Sequence, residues 1–400
     1  MEDRCMSALS AFKILELSEG VAGEYCGKLL ADFGADVIKI EKPDGGSPTR
    51  RMGPFSAKGA APEHSGLFAY LNTNKSSVTL DIATGAGAET LRKLLSRVDV
   101  VIDDHPPGWL KSIGLDPESF QAAYPQLVLC SITAYGQEPP EDRMHAEDLN
   151  VFHASGWGFH TPGGADGTAP PLNGPGRFMP SYEAGIDAAL CVTACLYERD
   201  SSGQGQFIDI AKQAVLTSRI DYVLGQMVAG DMDVTQARTG LDLFGPAGIF
   251  PTRDGFAYIW MSTQGHWEAL RDVLGDPDWM RAFPARWMEL DCTPERVELC
   301  QHQLGEWLKR EFKHVVAEKA QKAGLILVPV NTAEDLQASP QYQHRKFFAE
   351  AEHPVLGRIA YPTTPYKMSA TPASIRTAAP LLGRDTDAKL ADVTGGKAQS

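Results

Sequence analysis

Phe12–Leu17 (FKILEL), Tyr25–Phe33 (YCGKLLADF) and Asp36–Glu41 (DVIKIE) decide the fold. The first and third are short apolar alternations with the period-two pattern of a strand. The middle segment carries its apolar residues at helical spacing. Ser18 to Gly23 breaks the first strand, and Gly34 stops the helix. Strand, helix and strand within roughly 30 residues make a βαβ unit. The pattern repeats outward. Ser77–Ile82 (SVTLDI), Val98–Ile102 (VDVVI) and Leu127–Ile132 (LVLCSI) read as strands, with helices at Ala88–Leu95 and Pro117–Tyr124 between them. This alternation predicts an α/β fold whose N-terminal part is an open, mostly parallel sheet.

Further along, Gly156 to Gly176 is a long Gly-, Pro- and Thr-rich loop, of the kind that is often functional. Tyr182–Arg199 reads as one helix, Ser201–Gln206 (SSGQGQ) as a turn and Phe207–Ile210 (FIDI) as a strand. From about Gln226 to Gly324 the helices shorten, Gly255–Ile259 reads as a strand, and Trp and Met concentrate. The expected organisation is a large α/β domain over 1–225, a small domain over 226–324, and a return to the large domain over 325–400 beginning with Leu325–Val330 (LILVPV).

The chain has 400 residues, 43% apolar and 22% charged, which fits a folded chain of two to three domains and excludes a disordered one. The net charge of −14 repels phosphate backbones and anionic lipid, so neither nucleic acid nor a membrane surface is an expected partner. An anionic substrate needs local positive charge inside this acidic background. The seven cysteines form no CxxC pair and no Cys/His cluster with ligand spacing. The reading is a reducing, cytoplasmic compartment without disulfides or a metal site. The start Met-Glu-Asp-Arg-Cys lacks a signal peptide, and no run reaches about 18 apolar residues, so no transmembrane helix is expected.

Eight phrases occurring in order resemble the family III CoA-transferases, the group of formyl-CoA transferase, carnitine CoA-transferase and α-methylacyl-CoA racemase. They are Leu29–Glu41 (LLADFGADVIKIE) with Pro48-Thr49-Arg50, Asn72–Asp81 (NTNKSSVTLD), Val98–Gly114, Cys130–Gln137 (CSITAYGQ), Gly203–Ile210 (GQGQFIDI), Pro329-Val330-Asn331, Glu352–Gly357 (EHPVLG) and Ala379–Asp387 (APLLGRDTD). The resemblance implies a Rossmann-like large domain built from both chain ends and a smaller α+β domain from the middle. It further implies an interlocked dimer, as a homodimer or as a heterodimer with a homologous chain.

It also implies chemistry. Such enzymes move coenzyme A from an acyl-CoA thioester to a carboxylic acid, through an enzyme Asp that forms a mixed anhydride and then a CoA thioester. Counting back from Gly203 without gaps, that Asp falls on Ser181. A Ser hydroxyl would give an ordinary ester, a poor acyl donor, and would need a base. Glu183 lies two residues on and is a candidate substitute. The plainer reading is that Ser181 caps the helix, with Glu183 near the favourable end of its dipole. Glu147 and Asp148 stand where racemases carry a His-Asp pair and transferases a Glu. Asp148 aligns best and is a candidate for orienting a carboxylate or shuttling a proton. His145, His153 and His160 match no catalytic position.

For the phosphates of coenzyme A, the resemblance leaves Lys42, Arg50, Arg51, Asn74 and Lys75, since Ser76 and Pro106 replace expected arginines. The glycine loop of the small domain is reduced to the scattered glycines of Gly240–Gly248. Trp157, Phe159 and Phe178 read chiefly as packing residues. Three losses together favour a subunit whose own centre is catalytically degenerate, similar to one chain of the two-subunit benzylsuccinate CoA-transferases. The alternatives are an active transferase with an altered nucleophile, and an acyl-CoA epimerase or lyase using Glu147 and Asp148.

Overall fold

The computed structural model describes residues 7–140, 144–160, 174, 176–230 and 246–394. Six strands, β1 (Lys13–Glu16), β2 (Asp36–Glu41), β3 (Lys75–Thr79), β4 (Val100–Asp103), β5 (Val128–Thr133) and β6 (Phe207–Ala211), form one sheet in the order β3-β2-β1-β4-β5-β6. Every pairing is parallel. The strands are buried throughout their middle because helices cover both faces, which explains their near-continuous Val/Ile/Leu runs. Two crossover helices predicted from spacing are Val21–Asp32 and Gly85–Leu95. A 24-residue helix, Met179–Ser202, packs along Val21–Asp32 and leads through Gly203, with φ of 71°, into β6.

The outer edge of β3 is not left open. The backbone N–H groups of Ser77 and Thr79 donate to the side chains of Asp385 and Thr386, each at 2.9 Å. The C-terminal phrase Ala379–Asp387 thus covers an edge strand that would otherwise invite pairing. An antiparallel hairpin of β10 (Phe348–His353) and β11 (Gly357–Pro362) belongs to the same compact unit, which spans Met1–Arg238 and Phe347–Ser400.

The second unit, Thr239–Lys346, holds a three-stranded antiparallel sheet of β7 (Ala247–Thr252), β8 (Gly255–Trp260) and β9 (Ile326–Val330). Its core is aromatic, with the Trp267 and Trp287 rings 5.2 Å apart and edge-on. Here the expected boundaries are corrected. Leu325–Val330 does not rejoin the large domain, because β9 pairs antiparallel with β8 from Phe256↔Val330 to Trp260↔Ile326. The return comes only at Phe347, and the small unit is not 226–324. Among the described residues, no helix is long and apolar enough to cross a membrane. Residues 161–173 and 175 of the predicted loop, and 240–245 of the glycine segment, lie outside the described residues.

Charge is buried inside the sheet layer. Glu16 and Lys39 are register partners on β1 and β2, with Lys39 Nζ 3.1 Å from Glu16 Oε1 and 2.9 Å from Glu24 Oε1. Lys75 Nζ reaches Glu16 Oε2 at 2.7 Å. Two ammoniums and two carboxylates therefore balance with essentially no solvent contact. Burial pushes the Glu16 carboxyl up and the Lys75 ammonium down, each against the pull of its partner. Removing one partner strands a buried charge. Lys75→Met is therefore expected to cost about 3–5 kcal/mol in denaturant unfolding, with part of the loss recovered in the double variant carrying Glu16→Gln. A loss under about 1 kcal/mol would show the pair to be dispensable.

Candidate active site

The sheet order reverses between β1 and β4, and ligands of doubly wound sheets bind outside the carboxyl ends of strands at such a point. A cavity of about 600 Å³ opens there, lined by residues following β1, β2, β3 and β4. Its charged and aromatic lining includes Glu19, Lys42, Arg92, His105 and Trp109. The Trp109 ring stacks on His105 with centroids 3.5 Å apart and planes 6° apart. His105 Nδ1 lies 2.7 Å from Asp103 Oδ1, and Nε2 lies 3.6 Å from Glu19 Oε2. Burial pulls the imidazole down, but hydrogen bonds to Asp103 and Glu19 outweigh it and hold the group up at about 9. Burial likewise opposes ionisation of Glu19, yet its bonds to His105 and Lys42 hold that carboxyl down at about 2. His105 is thus a cation at neutral pH. The start of the helix Val21–Asp32 is already occupied: Asp104 accepts from the backbone N–H groups of Glu19 at 2.9 Å, and of Gly20 and Gly23 at 3.0 Å. A Cβ at Gly23 would collide with the Ser18 hydroxyl, so this close approach requires glycine.

The sequence-derived cations divide. Lys42 lines the cavity and is 65% exposed, paired with Glu19 at 2.9 Å. Arg51 is exposed and donates to the Gly45 carbonyl at 2.7 Å. Arg50 is fully buried, held by Glu41 and Glu63. Lys75 is buried on Glu16, and Asn74, at φ of 63°, bridges Asp32 to the backbone of Ser374, Arg376 and Thr377. As placed, these three hold the fold together and offer no free cationic nitrogen to a phosphate.

The acid and hydroxyl candidates converge at the same carboxyl side of the sheet, next to β6. Asp148 is the first residue of the helix Asp148–Ala154, and Ser181 the third of Met179–Ser202. Ser181 Oγ donates to Asp148 Oδ1 at 2.9 Å, and the Ser181 backbone N–H donates to Asp148 Oδ2 at 3.2 Å. Ser181 therefore does not cap its helix. Asp148 caps it from outside, satisfying an N–H that has no intrahelical partner and sitting at the positive end of the dipole. A third group joins them. Lys212, directly after β6, donates to Ser181 Oγ at 2.9 Å and to Asp148 Oδ1 at 3.1 Å. Ser181 and Asp148 are buried, while Lys212 keeps 17% of its side chain in solvent.

Glu183 is not part of this cluster. Its carboxylate sits on Arg219 at 3.0 Å, which also holds Asp187 at 2.6 Å. Glu147 is exposed, with its backbone N–H on Asn150 Oδ1 at 3.0 Å. Trp157 donates to the Leu216 carbonyl at 2.9 Å, and Phe178 packs among Val21, Leu67 and Leu71. The side chains of Phe159 and His160 lie outside the described residues.

Residues 9–386 match the model of CoA-transferase family III. The chain belongs to that family. This family III member is 31% identical over 399 residues to the succinate–glutarate CoA-transferase of Agrobacterium fabrum, covering 96% of this chain and 95% of that enzyme. It is 32% identical over 416 residues to a formyl-CoA:oxalate CoA-transferase of Rhodopseudomonas palustris, covering 97% and 94%. A CAIB/BAIF family protein from Brucella suis superposes with a TM-score of 0.81 at 25% identity, over 97% of this chain and 99% of that one.

The His105 cation gives a pH signature. Its folded value of about 9 lies above the ordinary 6.5, so its contribution is complete below pH 6.5 and lost as pH rises through 9. Glu19, held at about 2 against 4.5, contributes above pH 4.5 and is lost as pH falls through 2. His105→Gln should therefore destabilise most between pH 4.5 and 6.5, by on the order of 2–3 kcal/mol, and least above pH 9. Unfolding curves of both proteins across pH check this. A difference independent of pH would mean that His105 is not charged there.

Proposed function

We propose that this chain is an active family III CoA-transferase in which Asp148 has taken over as the acyl-accepting carboxylate. The observation that carries this reading is the 2.9 Å contact between Ser181 Oγ and Asp148 Oδ1. It brings a carboxylate from a neighbouring helix to the position where the resemblance expects the nucleophilic Asp. Asp148 attacks the acyl thioester carbonyl, and the CoA thiolate leaves. The thiolate then attacks the Asp148 carbonyl of the mixed anhydride, giving a CoA thioester on Asp148 and releasing the first acid. The second carboxylic acid reverses these two steps and departs as the new acyl-CoA. Lys212 Nζ, 3.1 Å from Asp148 Oδ1, is the group that would offset negative charge developing on the carbonyl oxygen. An anhydride on Asp148 stays as activated as the thioester it replaces, which an ester on Ser181 would not.

The cavity at the strand reversal is the proposed seat of the nucleotide end of coenzyme A. Lys42, Arg92 and His105 supply cations, and the Trp109 ring supplies a stacking face. Arg51 remains a candidate at the rim. The relatives' names point to short dicarboxylates as first test acids. A second chain is supported by the outward apolar face of Met179–Ser202, where Ile186, Leu190 and Tyr197 are exposed. The unpaired cysteines fit a reducing, cytoplasmic setting.

The purified chain alone, given succinyl-CoA and glutarate, or formyl-CoA and oxalate, is expected to transfer CoA. Asp148→Asn should lower kcat/KM by about a thousandfold or more while CoA still binds. Asp148→Asn retaining transfer within about tenfold of the native chain would refute the assignment. A native chain silent until a homologous Asp-bearing subunit is added would favour the degenerate-subunit reading instead.

A further inference from the structure

One carboxylate ties together the cations of the cavity at the strand reversal. Glu19, in the loop after β1, places Oε1 at 2.9 Å from Lys42 Nζ and Oε2 at 3.6 Å from His105 Nε2. Lys42 follows β2 and His105 follows β4, the strands on either side of β1. The backbone of Glu19 is fixed separately, its N–H donating to Asp104 Oδ1 at 2.9 Å. Its side chain keeps 24% of its surface in solvent and has room to turn outward. The other carboxylates lining the cavity are engaged elsewhere: Glu41 is buried on Arg50 at 2.7 Å, and Asp81 accepts from the Ala83 N–H at 3.1 Å. His105 stays held without Glu19, because its Nδ1 lies 2.7 Å from Asp103 Oδ1. Its Nε2 and the largely exposed Lys42 ammonium are therefore groups that an incoming anion can take over. Arg92, exposed on the helix Gly85–Leu95, lines the same cavity.

We propose that Glu19 is a built-in competitor for the 3′-phosphate of coenzyme A, contending with it for Lys42 and His105 and thereby speeding release of the finished acyl-CoA. The proposal rests on the reading that this cavity seats the nucleotide end of coenzyme A. Charge selects which phosphate enters. A phosphate monoester carries close to two negative charges at neutral pH and offers three acceptor oxygens. Each phosphate of the pyrophosphate bridge carries only one charge. Two cations already shared by a carboxylate pass to the anion that binds them more strongly, which is the monoester. The displaced Glu19 carboxylate stays beside the bound phosphate and repels it at short range. Lost pairing and added repulsion both subtract from affinity. Substrate and product carry the same nucleotide, so tight binding at that end is uniform and adds nothing to the chemical step. It only delays product release, a step that often limits turnover. A carboxylate that returns to Lys42 and His105 as the nucleotide leaves shortens that delay.

The test is calorimetry on the full chain with free CoA, dephospho-CoA and inorganic phosphate. Glu19→Gln should tighten CoA by about tenfold and change dephospho-CoA by less than about twofold. Stopped-flow displacement should place that gain in a CoA dissociation rate about tenfold slower. Glu19→Asp keeps the charge and should restore most of the native ratio between the two ligands. Lys42→Met should weaken CoA and spare dephospho-CoA, and in that background Glu19→Gln should lose most of its effect. If Lys42→Met weakens CoA but Glu19→Gln leaves CoA unchanged or weaker, the competitor is overturned and the nucleotide seat stands. Equal shifts for CoA and dephospho-CoA in Glu19→Gln mark a structural role and overturn the 3′-phosphate assignment. Inorganic phosphate binding as tightly as CoA makes the seat a free-anion site and overturns that assignment as well. A native chain that binds no CoA, or CoA binding indifferent to Lys42→Met, overturns the nucleotide seat itself, and the competitor falls with it.

Discussion

The carboxylate of Asp148 is the interaction on which the site depends. It closes the first turn of the longest helix from outside, takes the Ser181 hydroxyl, and holds Lys212 at the end of β6. Three elements far apart in sequence are thereby fixed to one another by a single side chain. The positive end of the helix and Lys212 Nζ, 3.1 Å away, both face this buried carboxylate. What stabilises the fold locally is the same contact that gathers a carboxylate, a hydroxyl and an amine into the proposed reaction centre.

The sheet gives this centre its setting. Because all six strands run parallel, their carboxyl ends share one edge, and the order reversal opens the cavity lined by Lys42, Arg92, His105 and Trp109 on that edge. Burying Glu16, Glu24, Lys39 and Lys75 as a balanced set keeps basic residues inside the layer without a net buried charge. Burial on Glu16 occupies Lys75, and burial on Glu41 and Glu63 occupies Arg50, so neither offers a free nitrogen. At the cavity, Lys42 is paired with the partly exposed Glu19, the partner that a phosphate would replace in the proposed function, while His105 is held chiefly by the buried Asp103.

Much of the fold was legible because it is local. The βαβ repeat appears as alternation, helical spacing and glycine stops, and the strands lie within a few residues of their expected places. β9 was misplaced because an apolar strand of the LILVPV type carries no record of its partner. Asp148 and Ser181 were each singled out, but their contact spans more than thirty residues and no local pattern encodes it. Lys212 was missed altogether. Its only signal was position, a basic residue immediately after a strand of a parallel sheet, where ligand sites gather. The failure of Glu183 was readable in principle, since two residues along a helix turn a side chain by about 200°, away from position 181. Arg50 and Lys75 escaped because basic residues are usually solvated, and only the structure shows the carboxylates that bury them.

The account stands on Asp148 as the carboxylate that carries acyl and CoA in turn. Oxygen labelling tests it most directly. An acceptor acid enriched in ¹⁸O on its carboxylate attacks the enzyme-bound CoA thioester and must leave one labelled oxygen on the carboxylate that carried it. After turnover and proteolysis, mass spectrometry should find that label in the peptide bearing Asp148. Transfer with no label on Asp148, or with the label on Glu183, Glu147 or another acid, would contradict the account.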